Sequence, residues 1–192
     1  MESSPLVTAA ERTARRLLRD DRQRTSHIEG AARAAAHVSR TLDPGIAASI
    51  VAAAWLHDIG YAPALVRTGF HPLDGALHLA AQGWPDDVVR LVAHHSHAAM
   101  LAPYFGVTDH LTVLDPVPGQ PADLLTFADL VAGVDGSGTT IRARIDGMRA
   151  RQAAAHSLVP REVREERYRR LTETGMRVLR SSRLTRVSLV SA

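Results

Sequence analysis

Cysteine is absent from this 192-residue chain, and so are lysine and asparagine, so all 23 basic residues are arginine. Without cysteine the chain has no thiolate zinc site, no iron–sulfur cluster and no cysteine nucleophile. The absence of lysine excludes Schiff-base catalysis and a Walker-type phosphate loop. Aromatic residues make up only 4% of the chain, which is too few for a base-stacking surface, so a nucleic-acid role is not expected.

Long apolar runs are also missing, because no stretch of about 18 uncharged apolar residues occurs. Residues 1–24 carry both signs of charge and lack the apolar segment of a secretion signal. We therefore expect a cytoplasmic protein that makes no use of a membrane. With 45% hydrophobic and 22% charged residues, the chain has the composition of one globular domain with its own core.

Charge is unevenly distributed along the chain. Residues 25–140 hold four arginines and eleven acids, a net charge of −7, whereas residues 141–192 carry +8 and residues 1–24 carry +2. Nine of the ten histidines fall in the acidic segment. A region that concentrates carboxylates and imidazoles is suited to holding cations.

Helical patterns follow one another, with proline at helix starts and glycine behind helix ends. They predict an all-α bundle of about six to eight helices. A helix within residues 1–25 packs on a core at 26–135, arginine-rich helices of the same domain occupy 136–180, and 181–192 form a tail. Helices are predicted near 26–42, from 44 to 56, and near 72–82, 85–95, 121–132, 140–156 and 160–180, with a connection across 97–120.

One helix ends in His57 and Asp58 after an almost entirely apolar stretch. An unpaired carboxylate buried there would carry a heavy desolvation cost, so a cation should compensate it. A His-Asp pair is often only a helix cap or a hydrogen-bonded pair. Metal binding is favoured because further histidines and one carboxylate also lie at helix ends or inside apolar helices: His27, His71, His94, His95 and Asp129.

The order of these residues resembles the HD-domain superfamily of metal-dependent phosphohydrolases. His27 comes first, followed by the segment His57-Asp58-Ile59-Gly60, which has the HDIG form, and then by Asp129. The resemblance covers residues 26 to about 135 and implies the HD-domain helical bundle. By resemblance, His27, His57, Asp58 and Asp129 would bind a first metal ion, with Asp58 bridging to a second.

The same resemblance implies histidine ligands for the second ion. His71 and His95 are the preferred pair, and His94 is the next candidate. Mixed imidazole and carboxylate ligation suits one or two divalent transition ions, Mn, Fe, Co, Ni or Zn.

The expected reaction is hydrolysis of a nucleotide or another small phosphate ester by metal-activated water, with Asp58 in the catalytic centre. Arg67 is a candidate phosphate clamp, and its alternative is an exposed loop arginine. Tyr61 could hydrogen-bond a metal-bound ligand or be buried against a helix end. It stands where many HDIG phosphodiesterases carry lysine, and the Gly-Tyr-Pro signature is absent after His95, which disfavours cyclic dinucleotides as substrates.

Two other classes of function fit the same residues. Some HD-domain proteins are mixed-valent diiron oxygenases that act on small polar molecules, and six ligand positions of that kind are available here. A non-catalytic helical module that binds a nucleotide or a partner through its arginine-rich C-terminal helices is the third reading. The long first and last helices could also pack against a second copy and form a homodimer.

Overall fold

The computed structural model describes residues 4–154 and 158–181, which fold into nine α-helices. These are α1 Pro5–Leu17, α2 Arg22–Ser39, α3 Pro44–Leu56, α4 His71–Ala81, α5 Asp86–His94, α6 Thr108–Thr112, α7 Gln120–Val131, α8 Ile141–Ala154 and α9 Arg161–Ser181. The only β pairing among the described residues is an isolated bridge between Ala132 and Gly138. The prediction of an all-α bundle is confirmed. The one helix that the sequence does not predict among the described residues is α6, which has five residues and lies within the predicted connection.

Helix α3 begins as the sequence predicts, because the Asp43 carboxylate accepts hydrogen bonds from the backbone of Gly45 and Ile46 and caps the helix. Helix α2 begins four residues earlier than predicted. The Asp21 side chain accepts from the backbone N–H of Arg24 at 2.9 Å and sets this earlier start. His27 consequently lies in the second turn of α2 rather than in the first.

The centre of the bundle is α3, which packs against α1, α2, α5 and α7. From Ser49 onward its side chains are buried almost all round, as its almost entirely apolar sequence predicts. Alanines at the interfaces let the helices approach closely: Ala31 and Ala35 on α2, and Ala52, Ala53 and Ala54 on α3, are fully or almost fully buried. The ends of these packed helices carry the polar residues described below.

Between α5 and α6 the chain forms two 3₁₀ segments, His95–Met100 and Ala102–Phe105. Ser96 and His97 adopt left-handed backbone conformations, with φ of 52° and 58°. Such conformations are costly for residues other than glycine, so surrounding contacts must hold this turn. It follows directly after the end of α5.

The C-terminal helices close one side of the bundle. Helix α9 packs on α7 through buried residues that include Tyr168, Leu171 and Val178. None of the helices in 4–154 and 158–181 has the length and apolar character needed to cross a bilayer. The predicted tail lies, from residue 182 onward, outside the described residues.

Candidate metal centre

Six histidine and aspartate side chains meet in two adjacent groups of three. Within each group, one potential ligand atom from every residue lies within 4.8 Å of the other two. The first group is His27, His57 and Asp129, and the second is Asp58, His71 and His95. The tertiary structure thus collects residues that are up to 102 positions apart in the chain.

The first group joins three central helices. His27 lies on α2, Asp129 on α7, and His57 directly follows α3. The Nε2 atom of His27 is 3.1 Å from Oδ1 of Asp129, and the Nε2 atom of His57 is 4.0 Å from the same oxygen. One carboxylate oxygen therefore faces two imidazole nitrogens.

The second group lies at helix ends beside the first. Oδ1 of Asp58 is 3.5 Å from Nε2 of His71, which in turn is 3.3 Å from Nε2 of His95. The same Asp58 oxygen is 3.6 Å from Nε2 of His57 in the first group. The Asp58 carboxylate thus stands between the two groups, where it could bridge two ions.

Backbone carbonyls fix the orientation of three of the imidazoles. The Nδ1 atoms of His27, His57 and His95 lie 3.1, 2.8 and 2.7 Å from the carbonyl oxygens of Gly133, Ala54 and Val92, respectively. A carbonyl only accepts hydrogen bonds, so each Nδ1 is the donor and carries the proton. With the proton on Nδ1, the neutral form of each ring has an Nε2 lone pair that faces the centre, as in metal-binding histidines.

One atom of the centre lacks a hydrogen-bond partner among the described residues. The Nε2 atom of His57 is buried and receives no hydrogen bond. A buried acceptor left in this way costs free energy, and a bound cation would satisfy it. The residues present therefore fit a metal ion.

In each of the two carboxylates, the outer oxygen Oδ2 is engaged by a residue outside the two groups, and Oδ1 faces the centre. Oδ2 of Asp58 accepts from Nη1 of Arg24 at 2.6 Å, and Oδ2 of Asp129 accepts from Oγ of Ser96 at 2.5 Å. Nη2 of Arg144 lies 3.1 Å from both Oδ1 of Asp129 and Nε2 of His27. Arg144 therefore supplies positive charge to the same two atoms that would hold an ion.

This environment keeps both carboxylates ionised. Burial alone would raise the pKa of Asp58, but the nearby His57 and His71 outweigh burial and hold that pKa below its ordinary range. Burial opposes ionisation of Asp129 as well, and the hydrogen bond from His27 together with the charge of Arg144 lowers its pKa. Two anionic oxygens are thus available to a cation at neutral pH.

The imidazoles divide into two kinds. Burial lowers the pKa of His95 to about 4 and lowers the pKa of His71 well below its ordinary value, so both rings are neutral near pH 7. Burial also opposes protonation of His27, but its hydrogen bond to Asp129 outweighs burial and raises the pKa. Neutral imidazole is the form that binds metals.

Gly60, the glycine of the HDIG segment, is required by close packing. A Cβ atom at this position would lie 2.0 Å from the carbonyl oxygen of His71 and 2.8 Å from the backbone nitrogen of Gly75. Only glycine allows the start of α4 to approach the chain this closely. The approach brings His71 to Asp58.

Tyr61 lies against the start of α4 without being buried there. Its ring stacks on His71 with centroids 3.9 Å apart, and the Arg24 guanidinium lies 3.6 Å above the tyrosine ring. The side chain remains partly open, since Tyr61 is 44% exposed. Tyr61 therefore supports the edge of the centre by stacking.

Two of the predicted site residues lie elsewhere. His94 ends α5, where its Nε2 contacts the carbonyl oxygen of Leu114, because successive helical residues point about 100° apart and only His95 faces the centre. The Arg67 side chain is exposed and does not line the cavity beside the centre. The Arg67 backbone N–H donates to the Asp74 carboxylate in the first turn of α4, at 3.2 Å.

Several residues that support the centre escape sequence reasoning. Arg24, Ser96 and Arg144 contact its carboxylates, and no motif marks them. Asp74 is 2% exposed and accepts hydrogen bonds from the backbone of residues 67, 68 and 69 and from the Thr68 hydroxyl, which shapes the loop before His71. A carboxylate in the first turn of an apolar helix was the one available signal for Asp74.

The centre opens into a cavity of about 560 Å³. Five of the six side chains line this cavity, all except His57, and we call the two groups of three together its floor. Four arginines of α8 and α9 line the cavity and form what we call the wall: Arg144, Arg151, Arg164 and Arg167. Leu101, Phe105 and Met148 add apolar surface to the lining. The cavity thus combines a cation-binding floor with a cationic wall and apolar patches.

Family models, curated proteins and solved structures were all compared with the chain, and none matches it. The chemistry of the centre is accordingly inferred from its own residues.

Proposed function

We propose that the chain is an HD-domain phosphohydrolase that uses one or two divalent transition ions to hydrolyse a nucleotide or another small phosphate ester. The observation that carries this proposal is the sharing of Asp58 between two groups of three ligands, directly beneath an arginine wall. A floor suited to cations and a wall suited to anions are the two requirements of metal-assisted phosphoryl transfer.

The donor set supports transition ions over calcium. Four imidazoles and two carboxylates suit Mn, Fe, Co, Ni or Zn, whereas calcium prefers oxygen ligands alone. When bound, such an ion lowers the pKa of a water molecule and acts as a Lewis acid towards a phosphoryl oxygen.

The protein's own residues orient the ligands and balance their charge. Ser96 and Arg24 each engage the outer oxygen of one carboxylate, so that Oδ1 of Asp129 and Oδ1 of Asp58 face inward. The carbonyls bound to Nδ1 hold the imidazole rings in place. This support limits the rearrangement that ion binding would require.

The cavity supports a substrate of nucleotide size or smaller. Its volume falls within the range of about 300 to 1,000 Å³ that is typical of small-molecule sites. The guanidinium groups of the wall suit phosphate oxygens, and the apolar lining suits the organic part of an ester.

The proposal is tested by elemental analysis of the purified protein and of Asp58→Ala, followed by a screen of nucleotides and phosphate esters for phosphate release. We expect one or two equivalents of a transition ion in the wild type, with metal and hydrolysis both lost in Asp58→Ala. His94→Ala is the matched control and should retain both. Absence of metal from the wild type, even after reconstitution, would contradict the proposal.

A mixed-valent diiron oxygenase is the second candidate. The position of Asp58 between two groups of three ligands favours this candidate as well, because it suits a pair of ions. Two equivalents of iron, substrate-dependent oxygen uptake and no phosphate release would select the oxygenase. Phosphate release without oxygen uptake would select the hydrolase.

A further inference from the structure

The arginines around the cavity differ in how their charge is balanced. Arg24 pairs with Asp58, and Arg144 pairs with Asp129. Arg164 and Arg167 also line the cavity, but within 4–154 and 158–181 no carboxylate oxygen lies within 4.0 Å of either guanidinium. Besides the exposed Arg151, the wall therefore contains two partly buried arginines without a close counter-charge.

Both of these arginines lie on the same face of α9, because residues three positions apart are neighbours on a helix. Arg164 is fixed by a hydrogen bond from Nη1 to the Gln152 carbonyl oxygen at 3.2 Å. Arg167 is fixed by a hydrogen bond from Nε to the Ser96 carbonyl oxygen at 2.9 Å. Each guanidinium keeps further N–H groups for another acceptor.

The bond from Arg167 to Ser96 places this cation next to the floor. The Ser96 hydroxyl donates to Asp129, so Arg167 is separated from a metal-ligand candidate by one residue. The strained turn is held on α9 a second time, through Nε2 of His97 and Oγ1 of Thr174, which lie 3.1 Å apart. The position of Arg167 relative to the floor is therefore fixed.

A partly desolvated cation without a close ion-pair partner is unfavourable. Burial lowers the pKa of Arg167, which reports that loss of hydration, although the side chain stays charged at any physiological pH. An anion in the cavity would restore the lost interaction. Because guanidinium groups bind phosphate oxygens in a planar, two-pronged geometry, phosphate is the chemically matched anion.

We propose that Arg164 and Arg167 form the subsite that binds the phosphate group of the substrate, and that this pair selects a terminal phosphate over a phosphodiester. This inference rests on the proposed function. Two cations balance the two negative charges of a phosphomonoester, or of the last phosphate of a nucleoside polyphosphate, better than the single charge of a diester. In this proposal the phosphate clamp is formed by two arginines of α9 and not by Arg67.

The test is calorimetric titration of the metal-loaded protein with inorganic phosphate. We expect Arg164→Gln and Arg167→Gln each to weaken phosphate binding by about tenfold or more, because each removes a charged hydrogen-bond donor. The control is Arg169→Gln on the same helix, which is exposed and paired with Glu166 and Glu173, and which should change binding less than about twofold.

Two further measurements separate binding from folding. Arg164→Gln does not touch the strained turn, and Arg167→Lys keeps the charge but loses the two-pronged geometry, so the inference does not depend on Arg167→Gln alone. Metal content and thermal unfolding should stay at wild-type values in Arg164→Gln. Hydrolysis should favour phosphomonoesters over diesters in kcat/KM, and Arg164→Gln, which removes one of the two charges, should reduce this preference.

The outcomes distinguish the two proposals. Wild-type phosphate affinity in both Arg164→Gln and Arg167→Lys, with metal bound, would overturn the phosphate subsite and leave the metal centre standing. The same holds if the metal-loaded wild type binds no phosphate or prefers diesters. A wild type that binds no metal after reconstitution would overturn the proposed function itself.

Discussion

The floor and the wall of the cavity have opposite electrostatic designs. On the floor, each carboxylate has an arginine partner, and three imidazoles are oriented by backbone carbonyls. On the wall, Arg164 and Arg167 are held by carbonyl oxygens, and no carboxylate oxygen among the described residues lies within 4.0 Å of either guanidinium. The floor is thus preorganised for a cation, and the wall is preorganised for an anion. The −7 charge of residues 25–140 and the +8 charge of residues 141–192 have the same signs as these two surfaces.

The largest effect is expected from a substitution that forces apart the backbone beneath the floor. Gly60→Ala places a methyl group 2.0 Å from the His71 carbonyl oxygen, and a shift of α4 must relieve this clash. We expect the free energy of unfolding to fall by about 3 kcal/mol or more, with metal binding impaired in the protein that remains folded. Gly138→Ala, which has nothing within 4 Å of the new Cβ, is the control. Denaturant unfolding measures both, and equal stabilities would show that the approach is not rigid.

The adjacent histidines His94 and His95 should respond differently to substitution, because only His95 belongs to the floor. His95→Ala removes a donor of the second group and should weaken binding of the second ion by about 100-fold. His94→Ala should leave the metal content unchanged, because that ring contacts Leu114 outside the centre. Metal titration of the two variants tests the difference. A loss with His94→Ala as large as that with His95→Ala would contradict the placement of His94.

Metal binding to the floor should weaken as the pH falls. The pKa of His27 is raised in the folded protein, so below that pKa a metal ion must displace a proton from this ring. Metal affinity should be constant above the raised pKa and fall by about tenfold per pH unit below it. His37→Gln, an exposed change on the same helix, should leave this profile unaltered. A flat profile from pH 8 to 5 would show that His27 is not a ligand.

The smallest expected effect concerns the edge of the floor. Tyr61→Phe keeps the ring that stacks between Arg24 and His71, so metal affinity should change by less than about twofold. Tyr61→Ala removes the stack and should reduce the affinity by about tenfold. Metal titration compares the two. A large loss with Tyr61→Phe would assign a role to the hydroxyl instead of the ring.

The ligand candidates can be predicted from the sequence, whereas the residues that surround them cannot. The six residues of the floor were all named, because polar residues at the ends of apolar helices are conspicuous. His94 and Arg67 were named with them, since sequence alone does not show which of two adjacent histidines faces inward or where a loop arginine points. No sequence feature separates Arg24 and Arg144 from the other arginines on polar helix faces, so they are not predicted.

The sequence by itself determined the helical architecture and the segregation of charge. Apolar periodicity, proline starts and capping carboxylates are local properties, and they lead to an all-α bundle. Only the tertiary structure decided that six donors from separate segments form two linked groups, and that Arg167 of α9 lies beside them. Those relations depend on helix packing and on a strained turn, which bring together residues that are distant along the chain. Contacts of this kind leave no periodic pattern in the sequence.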